Sequence, residues 1–142
     1  MNKDEIEYLE KAVNNEKNEL LMNLTFDKLD NKKREILEEL QLPNTKIKEL
    51  LKKLEDYRYI EEMHELQPGN YIRWIDLNYP DNLDLKYGAI LSEIKVENNI
   101  ILILKNFVSK RFFQITMEES FIFQKLSDQE RVILYVLDHL DK

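Results

Sequence analysis

Apolar residues recur along this chain with two different periods. Over the first 66 positions they return every three or four residues, the repeat of one helix face; from Tyr71 to Leu126 they alternate, the repeat of a strand with one buried side. The first stretch predicts three helices. Ile6, Leu9, Val13, Leu20, Leu21 and Leu24 form a narrow stripe interrupted at Glu16 and Lys17. Phe26, Leu29, Ile36, Leu37 and Leu40 mark a second helix from Phe26 to Gln41, closed by Pro43. Ile47, Leu50, Leu51, Leu54, Tyr57 and Ile60 mark a third, capped by Asn44 or Thr45 and ending before Pro68-Gly69. Its lysines (46, 48, 52 and 53) precede its glutamates (61, 62 and 65), which opposes the helix dipole at both ends. Packing must therefore hold it, either on the other helices and the strand-rich half or as a coiled-coil-like stem for self-association.

The alternating stretch predicts five strands: Tyr71 to Leu77, Tyr87 to Val96, 100 to 104, Arg111 to Thr116 and Ser120 to Leu126. Tyr71, Arg73 and Ile75 share one face of the first strand, Ile72, Trp74 and Asp76 the other. A long polar loop, 78–86, follows it. Asn98-Asn99 suits a two-residue hairpin turn, because Asn tolerates positive φ. The run IILIL at 100–104 is continuously apolar, which predicts a central strand covered on both faces. Ser127-Asp-Gln-Glu130 is a capping box opening a last helix, with Ile133, Val136, Leu137 and Leu140 as its stripe.

Five short antiparallel strands with a long first loop and tight later hairpins resemble the SH3-like and Tudor-like small barrels over about 60 residues. The expected architecture is α+β: two or three N-terminal helices (1–66), then a five-stranded antiparallel SH3-like/Tudor-like small β-barrel with a C-terminal helix (67–142). The phrases NYIRWI, YGAIL, IILILKN and SFIFQKLS are also similar to proteins of nucleocytoplasmic large DNA viruses. That resemblance implies a virion or host-interaction role and transfers no catalytic residue.

Charge makes the two halves differ. Residues 1–66 carry 12 basic and 17 acidic side chains, and residues 67–142 carry 9 and 11, within a net charge of −7. The whole molecule does not attract nucleic acid or anionic lipid, but a local basic face is compatible with the near-neutral second half. With no cysteine, disulfides and thiolate chemistry are excluded. No signal-peptide-like run opens the chain, and no window approaches a membrane span. A cytoplasmic, reducing setting is expected, or a virion or host nucleus on the viral reading.

Catalytic signatures are missing. Two glycines build neither a dinucleotide fingerprint nor a P-loop, and no serine sits in an elbow motif. His64, among Glu61, Glu62 and Glu65, and His139 read as solvated surface histidines. The chain is expected to be no enzyme and to need no cofactor or metal, and no small-molecule substrate is evident.

Two binding chemistries remain. Trp74, Tyr79 and Phe107 with Asp76 or Asp81 are candidates for an aromatic cage for methylated Lys or Arg, against a reading as core and scattered surface aromatics. Arg73, Lys105, Lys110 and Arg111 are candidates for a nucleic-acid edge, with Phe107 and Phe112 available for stacking; the competing reading is charges that guard a sheet edge. The leading expectation is a non-enzymatic protein-interaction or structural module with a protein partner or self-association. The alternative is a small-barrel reader of nucleic acid or methylated histone-tail peptides.

Overall fold

A computed structural model describes residues 3–7 and 25–140. Residues 3–7 are helical, and the rest of the expected first helix, Leu9 to Leu24, lies outside the described residues. Helix α1 runs Phe26–Glu38, its N-terminus capped by Thr25, whose Oγ1 accepts from the Lys28 N–H. Gln41 then takes φ +56°, and α2 runs Asn44–Lys53. Its N-cap is Pro43, with no side-chain cap bond, so neither Asn44 nor Thr45 caps it as expected.

The third helix stops half-way through its expected length. After Lys53 the chain turns, and Tyr57–Ile60 forms a strand, β1. Leu54, Tyr57 and Ile60 fit a helical stripe, but YRYI also alternates, with Arg58 and Ile60 buried. Pairing decides between the two, since Tyr57 to Ile60 run antiparallel to Lys125 to Ile122. Short 3-10 turns follow at Met63–Glu65 and, later, at Met117–Glu119.

The remaining strands are β2 (Tyr71–Asp76), β3 (Ala89–Val96), β4 (Ile100–Lys105), β5 (Phe112–Thr116) and β6 (Ser120–Lys125). They form one antiparallel sheet of six strands in the order β1-β6-β2-β3-β4-β5. The five-stranded barrel expected from the sequence is therefore corrected to an open six-stranded sheet. A sixth strand adds to β6, and β1 and β5 end the sheet without pairing to each other. Strand β4 lies second from the edge. Only Leu102 and Leu104 are fully buried, while Ile101 and Ile103 are half-exposed on the other face, so the expectation of a strand covered on both sides fails. The hairpin before it has three residues, 97–99, with Val96 opposite Ile100, and neither Asn takes positive φ.

The two faces of the sheet have separate cores. Ile60, Ile72, Trp74, Ala89, Leu91, Leu102, Leu104 and Ile122 cluster on one. The Trp74 and Phe113 rings of that face are 5.7 Å apart, although three strand spacings, about 14 Å if flat, separate β2 from β5. The sheet therefore curls around this face. On the outer face, α1 and α2 lay Leu37, Ile47, Leu50 and Leu54 against Ile75 and Phe123. Helices and strands thus share a core across the boundary expected near residue 66. Helix α3 (Asp128–Leu140) packs Leu134 on Leu29 and Leu126. Its capping box forms as expected, with the Glu130 N–H donating to Ser127 Oγ and the Ser127 N–H to Glu130 Oε1.

Two buried charges tie these layers together. Lys33 Nζ donates to the Leu54 carbonyl at the end of α2 and pairs with Asp30 at 3.1 Å, placing a cation where the helix dipole is negative. Arg58 of β1 lies between Glu65 and Glu130, at 3.2 and 3.5 Å.

Candidate nucleic-acid interface

Among the described residues the helices cover the outer face over Tyr59 of β1, Phe121 and Phe123 of β6 and Ile75 of β2, with Tyr57 half-buried at their margin. The uncovered part carries a row of side chains set by strand register. Tyr57 opposes Lys125, Tyr71 opposes Ile90, Ile90 opposes Lys105, and Lys105 opposes Phe112. The β2–β6 register, with Ile72 opposite Gln124, puts Tyr71 next to Lys125. Directly opposed residues share a face, so Tyr57, Lys125, Tyr71, Ile90, Lys105 and Phe112 form one line across all six strands. Five strand spacings make it about 24 Å long.

Two cation–ring pairs lie along this line, one on each side of Ile90. Lys125 Nζ sits 6.0 Å from the Tyr71 ring centre, and Lys105 Nζ 5.7 Å from that of Phe112. The β4–β5 hairpin adds a third pair, with Lys110 Nζ 4.6 Å from the Phe107 ring, which itself lies 5.9 Å from Tyr71. Each pair gains from the ring quadrupole, about 0.5–1 kcal/mol at an exposed site.

The hairpin is held firmly. Asn106 Oδ1 accepts from the Val108 and Ser109 N–H groups, the Lys110 N–H donates to the Asn106 carbonyl, and Arg111 N–H donates to Ser109 Oγ. Lys110 takes φ +62°, a left-handed conformation that glycine adopts more cheaply. Phe107 and Val108 stand exposed at the tip.

Arg73 continues the line toward the helices. It follows Tyr71 on the same face of β2, its Nε donates to the Lys86 carbonyl, and it lines a cleft of about 560 Å³ with Lys46, Lys53, Asp84, Leu85 and the exposed Tyr87. Lys46 pairs there with Asp84 at 3.4 Å and Lys53 with Glu49 at 3.1 Å. The Glu49 carboxyl is held below its usual range first by its hydrogen bond to Lys53. Between line and cleft lies Gly88, where an added Cβ would come within 3.4 Å of Tyr71 Cδ1 and 3.8 Å of Arg73 Cγ.

Of the four cations expected at a nucleic-acid edge, Lys105 lies in the line, Lys110 and Arg111 in the hairpin beside it, and Arg73 at its helical end. Lys125 and Tyr71 belong with them and were missed, although the alternation of SFIFQK and NYIRWI already gave their faces. The proposed cage residues are dispersed. Trp74 is 8% exposed and packs on Phe113 on the inner face, Tyr79 and Asp81 lie in the exposed loop after β2, and Asp76 accepts from the Asn78 N–H. Among the described residues no ring contact joins Trp74, Tyr79 and Phe107.

Around His64 the carboxylates have other duties. Glu65 accepts from Arg58 and from the Glu61 and Glu62 N–H groups, and Glu61 pairs with Lys32, whose pKa that hydrogen bond raises. Among the described residues no group of three or more His, Asp or Glu is placed to hold a metal, and no helix is long and apolar enough to cross a membrane.

Compared with family models, characterised proteins and solved structures, the chain gives no significant match to any of them.

Proposed function

We propose that this chain is a non-catalytic binding module whose uncovered sheet face takes up single-stranded nucleic acid. The reading is carried by two cation–ring pairs along one line, Lys125-Tyr71 and Lys105-Phe112 on either side of Ile90, flanked by Phe107, Lys110, Arg111 and Arg73. Phosphates need cations and bases need flat apolar faces, and a strand of nucleic acid presents the two at regular intervals. A line of about 24 Å has room for roughly four nucleotides, the lower end of the range for small binding folds. Binding exchanges partners: a base replaces each ammonium over its ring, and the released lysine moves to a phosphate.

The protein-docking reading draws on Val108, 88% exposed beside Phe107 at the hairpin tip. The two readings separate on salt. Five cations, Arg73, Lys105, Lys110, Arg111 and Lys125, meeting five phosphates give a slope of log affinity on log salt of about −3.5, roughly a hundredfold loss between 50 and 200 mM. Anisotropy of a labelled oligothymidine measures this directly. Saturable binding with that slope, abolished by Lys105→Glu with Lys125→Glu, is the expected result. No binding at low salt, or binding indifferent to salt, overturns the nucleic-acid reading and leaves protein docking in front.

A further inference from the structure

Strand β5 ends the sheet. Among the described residues it pairs with β4 alone, and its other edge meets no strand. Which of its backbone groups face outward follows from the hairpin. The Asn106 N–H donates to the Arg111 carbonyl at 2.9 Å, so Arg111 points its backbone at β4. Alternation then turns Phe113 and Ile115 toward β4, and Phe112, Gln114 and Thr116 outward. The outward set is symmetric about Gln114, the middle residue of the strand.

Native sheets usually guard such an edge with a charge or proline in mid-strand, a bulge or a cover. Here Phe112 to Thr116 has no charge and no proline, and its Phe112, Phe113 and Gln114 side chains are exposed. The charges stand only at the two ends and have opposite sign: Lys110 and Arg111 before the strand, Glu118 and Glu119 after it. A parallel visitor of the same sequence would set like charges together. An antiparallel one sets Lys110 and Arg111 of each chain alongside Glu118 and Glu119 of the other.

We propose that the free edge of β5 pairs antiparallel with β5 of a second copy of this chain, centred on Gln114. Phe112 then opposes Thr116 of the second copy and Gln114 opposes its own equivalent, while the terminal charges complement each other. Opposed residues share a face, so the two-fold axis stands normal to the sheet. The product is one continuous sheet of twelve strands, with both cation–aromatic lines on the same side. This inference rests on the edge itself and stands apart from the nucleic-acid reading.

Sedimentation equilibrium of the full chain without nucleic acid, from low micromolar to submillimolar concentration, reads the assembly; the expected end point is twice the 17.2 kDa chain mass. Hydrogen exchange across the same range reads the parity. Amides of Phe112, Gln114 and Thr116 gain protection with concentration, while those of Phe113 and Ile115, already bonded to β4, do not. Gln114→Pro removes only an outward N–H, a place where edge strands accept proline, and gives a monomer with unchanged far-ultraviolet circular dichroism. Lys110→Glu with Arg111→Glu weakens the dimer at least tenfold. A chain that stays monomeric throughout, a dimer whose concentration-dependent protection lies elsewhere, or a Gln114→Pro chain that dimerises like the native one overturns the proposal.

Discussion

Replacing Arg58 by Met is the sharpest test of how the chain's layers are joined. The Arg58 side chain is 4% exposed and that of Glu130 2%, and they meet at 3.5 Å between β1 and α3. Arg58 also donates to Glu65 Oε1 and, at 3.4 Å, to the Glu65 carbonyl. Methionine keeps the apolar stem and removes the charge. Glu65 is little affected, since it still accepts two backbone N–H groups and its side chain is 16% exposed. Glu130 is left as a buried carboxylate with only the Ser127 N–H to satisfy it. Stripping one partner from a buried pair costs about 3–5 kcal/mol, and the survival of Glu65's bonds places this case near 3. With a urea slope of about 2 kcal/mol per molar, the midpoint falls by about 1.5 M. Glu130→Gln in the same chain removes the stranded charge and keeps an oxygen for Ser127, so about half the loss returns. Urea unfolding followed by circular dichroism of the four members of this cycle measures the coupling. A loss below about 1 kcal/mol in Arg58→Met, or a double variant no better than the single one, would refute the claim that this pair is desolvated.

Lys110→Gly relieves the left-handed backbone at the hairpin and removes one cation, so stability is unchanged or rises by up to about 1 kcal/mol while oligothymidine affinity falls and the salt slope flattens by about 0.7; a thermal melt beside the anisotropy titration checks both. Trp74→Ala costs about 3–5 kcal/mol by emptying the inner core, yet the fraction still folded binds oligonucleotide as before, because Trp74 faces away from the line; lost binding in folded protein would place it in the site after all. Burial raises the Tyr57 and Tyr59 phenols above the usual tyrosine value. A raised folded pKa gives stability that is complete below the unfolded value, about 10, and is lost as pH climbs through the folded one. Urea midpoints should therefore drop in alkali, and drop less in Tyr57→Phe with Tyr59→Phe.

Strands β2, β3, β5 and β6 were legible because alternation is a local signal, and β4 because its apolar run is, although that run hid which of its faces is buried. So was the cap of α3, where Ser127 and Glu130 need only each other. Strand β1 was not. Leu54, Tyr57 and Ile60 satisfy a helix and YRYI satisfies a strand, and what chooses is an edge of β6 some 65 residues away. That missed strand makes six strands of the expected five, and the barrel gives way to an open sheet because the end strands β1 and β5 do not pair. Arg58 and Lys33 look like surface cations among many, and their burial depends on a carboxylate and a carbonyl supplied by other elements. The proposed interface divides the same way. Lys105, Lys110 and Arg111 stand beside phenylalanines in the sequence itself, whereas Lys125 meets Tyr71 only through the β2–β6 register. Trp74 was ambiguous because alternation separates two faces without saying which one closes inward.

A net charge of −7 does not disqualify this face as a site for a polyanion. At physiological ionic strength charges are screened beyond about 8 Å, a third of the length of the line. A phosphate on it therefore responds to the side chains within its reach. Five of the nine basic residues of 67–142 lie in or beside the line, and none of that half's described acidic residues belongs to it. The described acidic residues fall at the end of β2 and in the loop after it, along β3 and its turn, after β5 and on α3. At very low salt the screening length grows to about 30 Å, and the whole molecule's negative field then reaches the site. Affinity should accordingly stop rising as salt is withdrawn, a plateau that a uniformly basic protein would not show.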